Sequence, residues 1–344
     1  MKTKILKIDP ERINLDKIEK AAKIIKEGNL VAFPTETVYG LGADVFNEKA
    51  ISKIFIAKKR PFNDPLIVHI ADIRQLQLLS NQILPVSLKL AETFWPGPLT
   101  LVMKKSPSVS NLVTSGLDTV AVRMPNNDIA LSLIRRSNTP IAAPSANLFG
   151  RTSPTDAWHV ADDLEGNIEM IIDGGRTRVG VESTVVDTTT APVQLLRAGG
   201  ITIEELRRVI GEIRIGQKLE KSFRSPGMMD SHYSPKAKLI LVDKKGDIQI
   251  KEVIRQAMIY SAKGFKVGIM AKEENEERYK GFKIKVIGKG SELKKCAANL
   301  FSVLRDFDKE KFNVIIAESL EKYGLGLAIM ERLKKASVSK NIKE

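Results

Sequence analysis

The chain has 344 residues, 43% of them hydrophobic, with one cysteine and three histidines, which suits two cores, excludes an intramolecular disulfide and a multi-cysteine metal site, and argues against a histidine-built zinc centre. No apolar run reaches the roughly 20 residues of a bilayer span, and Met1 leads straight into a charged segment, so a cytoplasmic protein without membrane contact is expected. The formal charge is +14, with 24 Lys and Arg against 15 Asp and Glu in residues 238–344; that excess suits an anionic substrate, an RNA partner or solubility alone, and 6% aromatic residues argue little for nucleic acid.

Residues 16–27 have helical spacing (Ile18, Ala21, Ala22, Ile25) and stop at Gly28. Leu30 to Phe33 reads as a short strand. The loop Pro34-Thr-Glu-Thr-Val-Tyr-Gly40 is rich in hydroxyls, and Gly40 and Gly42 let backbone approach a ligand, although such loops are ordinarily only turns. Asn47 is placed to cap a helix carrying Ala50, Ile51, Ile54 and Phe55. Pro61 ends it, leaving Lys58, Lys59 and Arg60 in its last turn. Cations there also suit the helix dipole, so the cluster alone defines no site. Alternation from Leu66 to Ile70 puts Ile67 and His69 on one strand face, so an imidazole and a cation cluster flank one short turn.

Helices are predicted at 72–80 and 85–94, then a strand at 99–103. In Thr119-Val-Ala-Val-Arg-Met-Pro125, alternation puts Val120, Val122 and Met124 toward the core and Thr119, Ala121 and Arg123 on the other face. A mid-strand arginine is costly without an anionic partner, which a substrate or a structural carboxylate could supply. A helix at 128–136 and a strand at 140–143 lead into Pro144-Ser-Ala-Asn147. Ser145 and Asn147 thus stand at a strand end, where α/β sheets collect ligands and where turn formers are also ordinary. Thr155 is placed to cap a helix at 156–164. Strands at 169–172, 182–187 and 194–196 follow, the last leading to Arg197, and Thr202 is placed to cap a helix at 203–210.

Residues 211–237 read as a Pro-rich polar linker between a first domain, 1–210, and a second, 238–344. From Lys238 the pattern alternates: strand 238–242, helix 247–263, strand 266–270, helix 273–280, strand 283–287, helix 292–306, strand 312–316, helix 326–336. That is a parallel sheet with helices on its faces, without the Gly-x-Gly-x-x-Gly of a dinucleotide site.

There is no Gly-x-Ser-x-Gly elbow, phosphate-cradling glycine loop or His-Glu-x-x-His helix. The first domain instead offers exposed donors: Lys58, Arg60, His69, Arg123, Asn147, Arg197 and the hydroxyls of Thr35, Ser145 and Ser183. Donors without a nucleophile suit reactions of bound anions, in which positioning and charge stabilisation supply the rate, so phosphoryl or nucleotidyl transfer is the natural class.

The segments Pro34-Thr-Glu-Thr-Val-Tyr-Gly-Leu-Gly42, Lys58-Lys-Arg60-Pro, Pro65-Leu-Ile-Val-His69, Trp95-Pro-Gly-Pro-Leu-Thr100, Val122-Arg-Met-Pro125, Ala143-Pro-Ser-Ala-Asn147 and Gly180-Val-Glu-Ser-Thr184 resemble the YrdC-type family. With the Pro226-Gly-Met…His232-Tyr-Ser-Pro235 linker and the basic α/β half, the chain is similar to the two-domain threonylcarbamoyl-AMP synthases. The resemblance implies an N-terminal YrdC-like twisted mixed sheet with helices and a C-terminal Rossmann-like parallel α/β domain. It implies L-threonylcarbamoyladenylate synthase activity: L-threonine, bicarbonate and ATP give threonylcarbamoyl-AMP and pyrophosphate. Mg²⁺ would assist pyrophosphate departure, with no metal held by the protein itself. The product would feed a tRNA threonylcarbamoyl transferase complex, with at most weak tRNA contact here.

By the same resemblance Lys58 and Arg60 are catalytic and lie at the nucleotide, together with Asn63, Thr119, Ser145, Asn147, Ser153 and Arg197. Tyr233 would close over it as part of a lid. Thr35, His69, Arg123, Ala143 (through its backbone) and Ser183 would form the threonine pocket. One rival is a structured-RNA (tRNA) binding protein. Another is a hydrogenase-maturation factor sharing the YrdC-type domain, whose zinc-finger part a single cysteine excludes.

Overall fold

The computed structural model describes residues 2–215 and 233–338. Two compact units emerge, Met1–Phe149 with Ser153–Met229 and Gly150–Thr152 with Asp230–Glu344. Most of the predicted linker, 216–232, lies outside the described residues. Among those described, no helix is long and apolar enough to cross a membrane.

In the first unit the strands are β1 (Lys4–Lys7), β2 (Val31–Phe33), β3 (Gly40–Asp44), β4 (Ile67–His69), β5 (Ser80–Gln82), β6 (Leu99–Lys105), β7 (Thr119–Arg123), β8 (Ile141–Ala142), β9 (Met170–Asp173), β10 (Thr184–Asp187), β11 (Gln194–Arg197) and β12 (Arg214–Ile215). They run in the order β1-β9-β2-β3-β8-β4-β7-β6-β10-β11-β12, with β5 paired to β6. Pairing is mixed: β4 and β7 are parallel, β6 and β7 antiparallel. The helices are α1 (Leu15–Lys26), α2 (Glu48–Lys58), α3 (Leu76–Leu79), α4 (Pro85–Phe94), α5 (Asn111–Thr114), α6 (Asp128–Ser137), α7 (Ala157–Leu164) and α8 (Ile203–Ile210).

Local chemistry sets the helix starts. The Asn14 side chain accepts from Lys17 N, that of Asn47 from Ala50 N, and Thr202 forms a capping box with Glu205. The apolar stripes of α1 and α6 close over Val31, Phe33 and Ile172 on one sheet face. Those of α2, α4, α7 and α8 pack on the other, against Val68, Val120 and Val122. The predicted alternation therefore holds, and it leaves Ile67, Ala121, Val102 and Val185 in a small cluster on the face that also carries His69 and Arg123.

Three local predictions are corrected. The span 72–80 is not one helix: a 3-10 turn at Ile73–Gln75 and the short α3 give way to β5, because the Ser80 hydroxyl and the backbone turn to Lys104 and Lys105 of β6. Helix α7 is capped by Asp156, which accepts from Trp158 N, whereas the buried Thr155 hydroxyl lies 3.4 Å from His159 Nδ1. The stretch Glu273–Tyr279 forms 3-10 turns rather than an α-helix, and it starts at Lys272 without a side-chain cap.

The second unit has a four-stranded, all-parallel sheet of β13 (Lys238–Val242), β14 (Val267–Lys272), β15 (Lys283–Gly288) and β16 (Val314–Glu318), ordered β13-β16-β14-β15. Its helices are α9 (Gly246–Ala262), α10 (Leu293–Lys309) and α11 (Leu325–Ser337). Ser234 N donates to Gly150 O at 2.8 Å and Arg151 pairs with Asp308 at 3.0 Å, which draws the 150–152 segment into this unit.

Candidate active site

The turn Thr35–Tyr39, between β2 and β3, is the hub. The Thr35 hydroxyl donates to Val38 O at 2.6 Å and meets the Thr37 hydroxyl at 2.8 Å, so the turn is closed by its own side chains. Ala146 N reaches Tyr39 O, and Gly40 bridges Ser145, which brings the 143–147 segment alongside. Val179 N and Gly180 N donate to the carbonyls of Glu36 and Thr37, which brings in the loop before Glu182 and Ser183.

Lys58 ends α2 because Lys59 takes the left-handed conformation (φ 52°) ahead of Pro61. Its side chain is fully buried, and Nζ donates to the carbonyls of Ser145, at 2.5 Å, and Asn147. Burial first, then the charge of Arg60, pushes the Lys58 amine well below the ordinary lysine range. Arg60 is 6% exposed, paired with Asp64 at 2.8 Å, and donates to Pro65 O.

His69 and Arg123 are register partners on parallel strands and share a face. Arg123 pairs with Glu36 at 2.5 Å and donates to the Thr37 hydroxyl at 2.9 Å and to Gly97 O. Burial, and after it the Arg123 charge, lowers the His69 pKa to about 3. An imidazole kept neutral by folding must accept a proton to unfold in acid. The folded state thus loses stability as pH falls from the unfolded value near 6.5 toward about 3. Replacing His69 by Gln should flatten the fall of Tm over that window, and parallel Tm–pH curves would remove the assignment.

Arg197 ends β11 and donates to Ser183 O (3.0 Å) and to its hydroxyl (3.1 Å), which also meets the Thr100 hydroxyl at 2.7 Å. Ser153 donates to Glu182 at 2.5 Å. A Cβ on Gly199 would lie 2.3 Å from Ser183 C and Thr184 N. Backbone cannot retreat cheaply from that distance, so Gly199→Ala should cost several degrees of Tm and displace Ser183 and Arg197. Unchanged thermal unfolding and unchanged activity would contradict it.

The structure therefore gathers Lys58, Ser145, Asn147 and Ala143, then Thr35, His69 and Arg123, then Ser183, Arg197 and Ser153 around one turn. Asn63 is exposed in the turn after Pro61, and Thr119 lies at the far end of β7, about 13 Å along the strand from Arg123. Tyr233 is buried in the second unit, its ring 5.7 Å from that of Phe301 and 5.3 Å from the Arg332 guanidinium. One expectation is overturned: apart from the half-buried Ser145 the donors are buried rather than exposed, and most of them are matched by internal acceptors. Sequence reasoning missed Glu36, Thr37, Asp64, Thr100 and Glu182. Only Asp64, four residues after Arg60 and acidic, stood at a spacing that signals a pair.

A buried donor cluster on a mixed sheet, joined in sequence to an all-parallel α/β unit, suits a protein of the nucleotidyl-transfer class. The family model Sua5_yciO_yrdC (Telomere recombination) matches residues 23–199, and that of the Threonylcarbamoyl-AMP synthase C-terminal domain matches 201–338. The chain is 49% identical over 338 residues to the threonylcarbamoyl-AMP synthase of Pyrococcus abyssi, covering 97% of each chain. It is 47% identical to that of Bacillus subtilis, covering 94% of each. A crystal structure of P. abyssi Sua5 complexed with L-threonine aligns with a TM-score of 0.92 at 48% identity, over 97% of this chain and 98% of that one. The chain belongs to the threonylcarbamoyl-AMP synthase family.

Proposed function

We infer that this protein is an L-threonylcarbamoyladenylate synthase, a nucleotidyltransferase that converts L-threonine, bicarbonate and ATP to threonylcarbamoyl-AMP and pyrophosphate. The observation that carries it is the convergence on one turn of Lys58, Arg123 and the 145–147 segment, in a chain alike over its whole length to synthases of that name. The threonine amine captures CO₂ as a carbamate, whose oxygen attacks the α-phosphorus of ATP and expels pyrophosphate. Lys58, Arg60, Asn63, Thr119, Ser145, Asn147, Ser153 and Arg197 hold the nucleotide in this reading, while Thr35, His69, Arg123, Ser183 and the backbone of Ala143 hold threonine.

Among the described residues no three His, Cys, Asp or Glu side chains cluster to cage a metal, and Glu36 and Asp64 are engaged by arginines. Mg²⁺ fits here as the partner of the ATP phosphates, which neutralises their charge and needs no protein cage. The product passes to a tRNA-modifying transferase complex, and the work is done in the cytoplasm. Incubation with ATP, threonine and bicarbonate should yield the mixed anhydride by mass spectrometry, with pyrophosphate in equal amount. No product above a threonine-free control would end this reading.

In this reading Tyr233 acts as part of a lid that keeps water from the labile anhydride, for which it would have to leave its packing on Phe301 and Arg332. Its backbone is left-handed (φ 63°), a conformation costly for tyrosine. Tyr233→Ala should lower kcat and raise the hydrolysed fraction of product, and unchanged kcat and KM would remove the lid.

A further inference from the structure

We propose that the carboxyl edge of the second unit's sheet is a binding site for a small phosphate-bearing anion, with Lys272 supplying its principal charge. A cavity of about 280 Å³ opens there, lined from the ends of all four strands: Lys244 and Gly246 after β13, Lys272 closing β14, Gly290 after β15, and Ser319 and Lys322 after β16. Its volume approaches that of small-ligand sites. The chain leaves β14 toward β15 and leaves β16 for α11, which packs on β13, so the exits diverge between two adjacent strands. Parallel α/β sheets take ligands at that place.

The chemistry of the wall points to an anion. Two of its three carboxylates are paired with cations, Asp243 with Lys322 at 2.8 Å and Glu321 with Lys245 at 2.9 Å, while Glu274 accepts from Gly290 N at 3.1 Å. Lys272 differs, for its Nζ donates at 3.0 Å to the Gln249 carbonyl oxygen and pairs with no carboxylate among the described residues. Gln249 is 1% exposed, and its amide nitrogen is fixed by Val242 O and the Ser319 hydroxyl, at 3.1 and 2.7 Å. A buried amide is thus committed to holding one half-buried ammonium at the cavity wall, an arrangement that costs free energy unless an anion completes it. Helix α9 starts in the same wall at Gly246 without a side-chain cap, leaving its first N–H groups to add to the field. At Gly290 a Cβ would meet Glu274 Oε1 at 2.7 Å and Lys272 Cδ at 3.1 Å, so a larger residue there would have to displace both side chains of the cavity wall.

Hydrogen–deuterium exchange on the full chain, with inorganic phosphate, pyrophosphate, AMP or adenosine added separately, tests the site. Phosphate-bearing probes should protect peptides spanning 243–249 and 319–322, and adenosine should not. Protection by AMP at concentrations where phosphate and pyrophosphate give none identifies a mononucleotide ligand, and the converse a free phosphate ion. Lys272→Ala should weaken the protection about tenfold, as loss of one charged hydrogen bond does, with Tm and pyrophosphate release unchanged, and Lys272→Arg should recover most of it. Protection confined to the first unit, equal protection by adenosine, or a Lys272→Ala response like the wild type would overturn the proposal.

Discussion

Lys58→Ala and Arg60→Ala are each expected to lower kcat/KM for pyrophosphate release by about a hundredfold or more, the cost of losing one donor that stabilises developing charge. They should fail by different routes. Without its amine, the carbonyls of Ser145 and Asn147 lose the donor that fixes the 145–147 turn. The turn then relaxes, so the Lys58 variant should lose nucleotide affinity together with turnover. In the Arg60 variant Asp64 remains buried with its pairing cation removed. In the proposed site that uncompensated charge would oppose the triphosphate, and raising Mg²⁺ should recover part of the loss. Pyrophosphate release near the wild-type rate in either variant, measured well below its Tm, would refute the central place given to this cluster.

Arg123→Ala should be the most destabilising of the single substitutions considered. Glu36 is 3% exposed and its Oε1 already lacks a hydrogen-bond partner, so removing the guanidinium strands a buried charge. Breaking one side of a buried pair costs about 3–5 kcal/mol, or roughly 6–20 °C of Tm in a domain of this size. The companion Glu36→Gln should restore a good part of that loss when combined with Arg123→Ala, since the stranded charge is then gone. The double variant should remain inactive with threonine. A Tm within a degree of wild type for Arg123→Ala, or no recovery in the double variant, would mean that the pair carries little of the fold's stability.

These two experiments bear on different parts of what was legible in advance. The cation cluster was visible because Pro61 must end α2 and leave Lys58 and Arg60 beside the turn. Arg123 was visible as a charge in a strand whose neighbours alternate. Its partner was not, because Glu36 lies 87 residues away in a turn whose own composition suggests only hydroxyl chemistry. Burial was misjudged for a related reason: a donor-rich list reads as solvent-facing until the acceptors that satisfy it are known, and here many are backbone carbonyls. No side-chain pattern announces those.

By itself the sequence determined most of the elements, their order and the parallel second sheet, since helix caps, proline stops and periods of 3.6 and 2 act within a few residues. The mixed first sheet and the family came from the resemblance of its motifs. Only the tertiary structure decided which groups meet. Lys58 reaches carbonyls 87 and 89 residues onward, and Arg197 folds back on Ser183. Such pairings depend on strand order and on which charges are taken out of water together, and neither is written in local spacing.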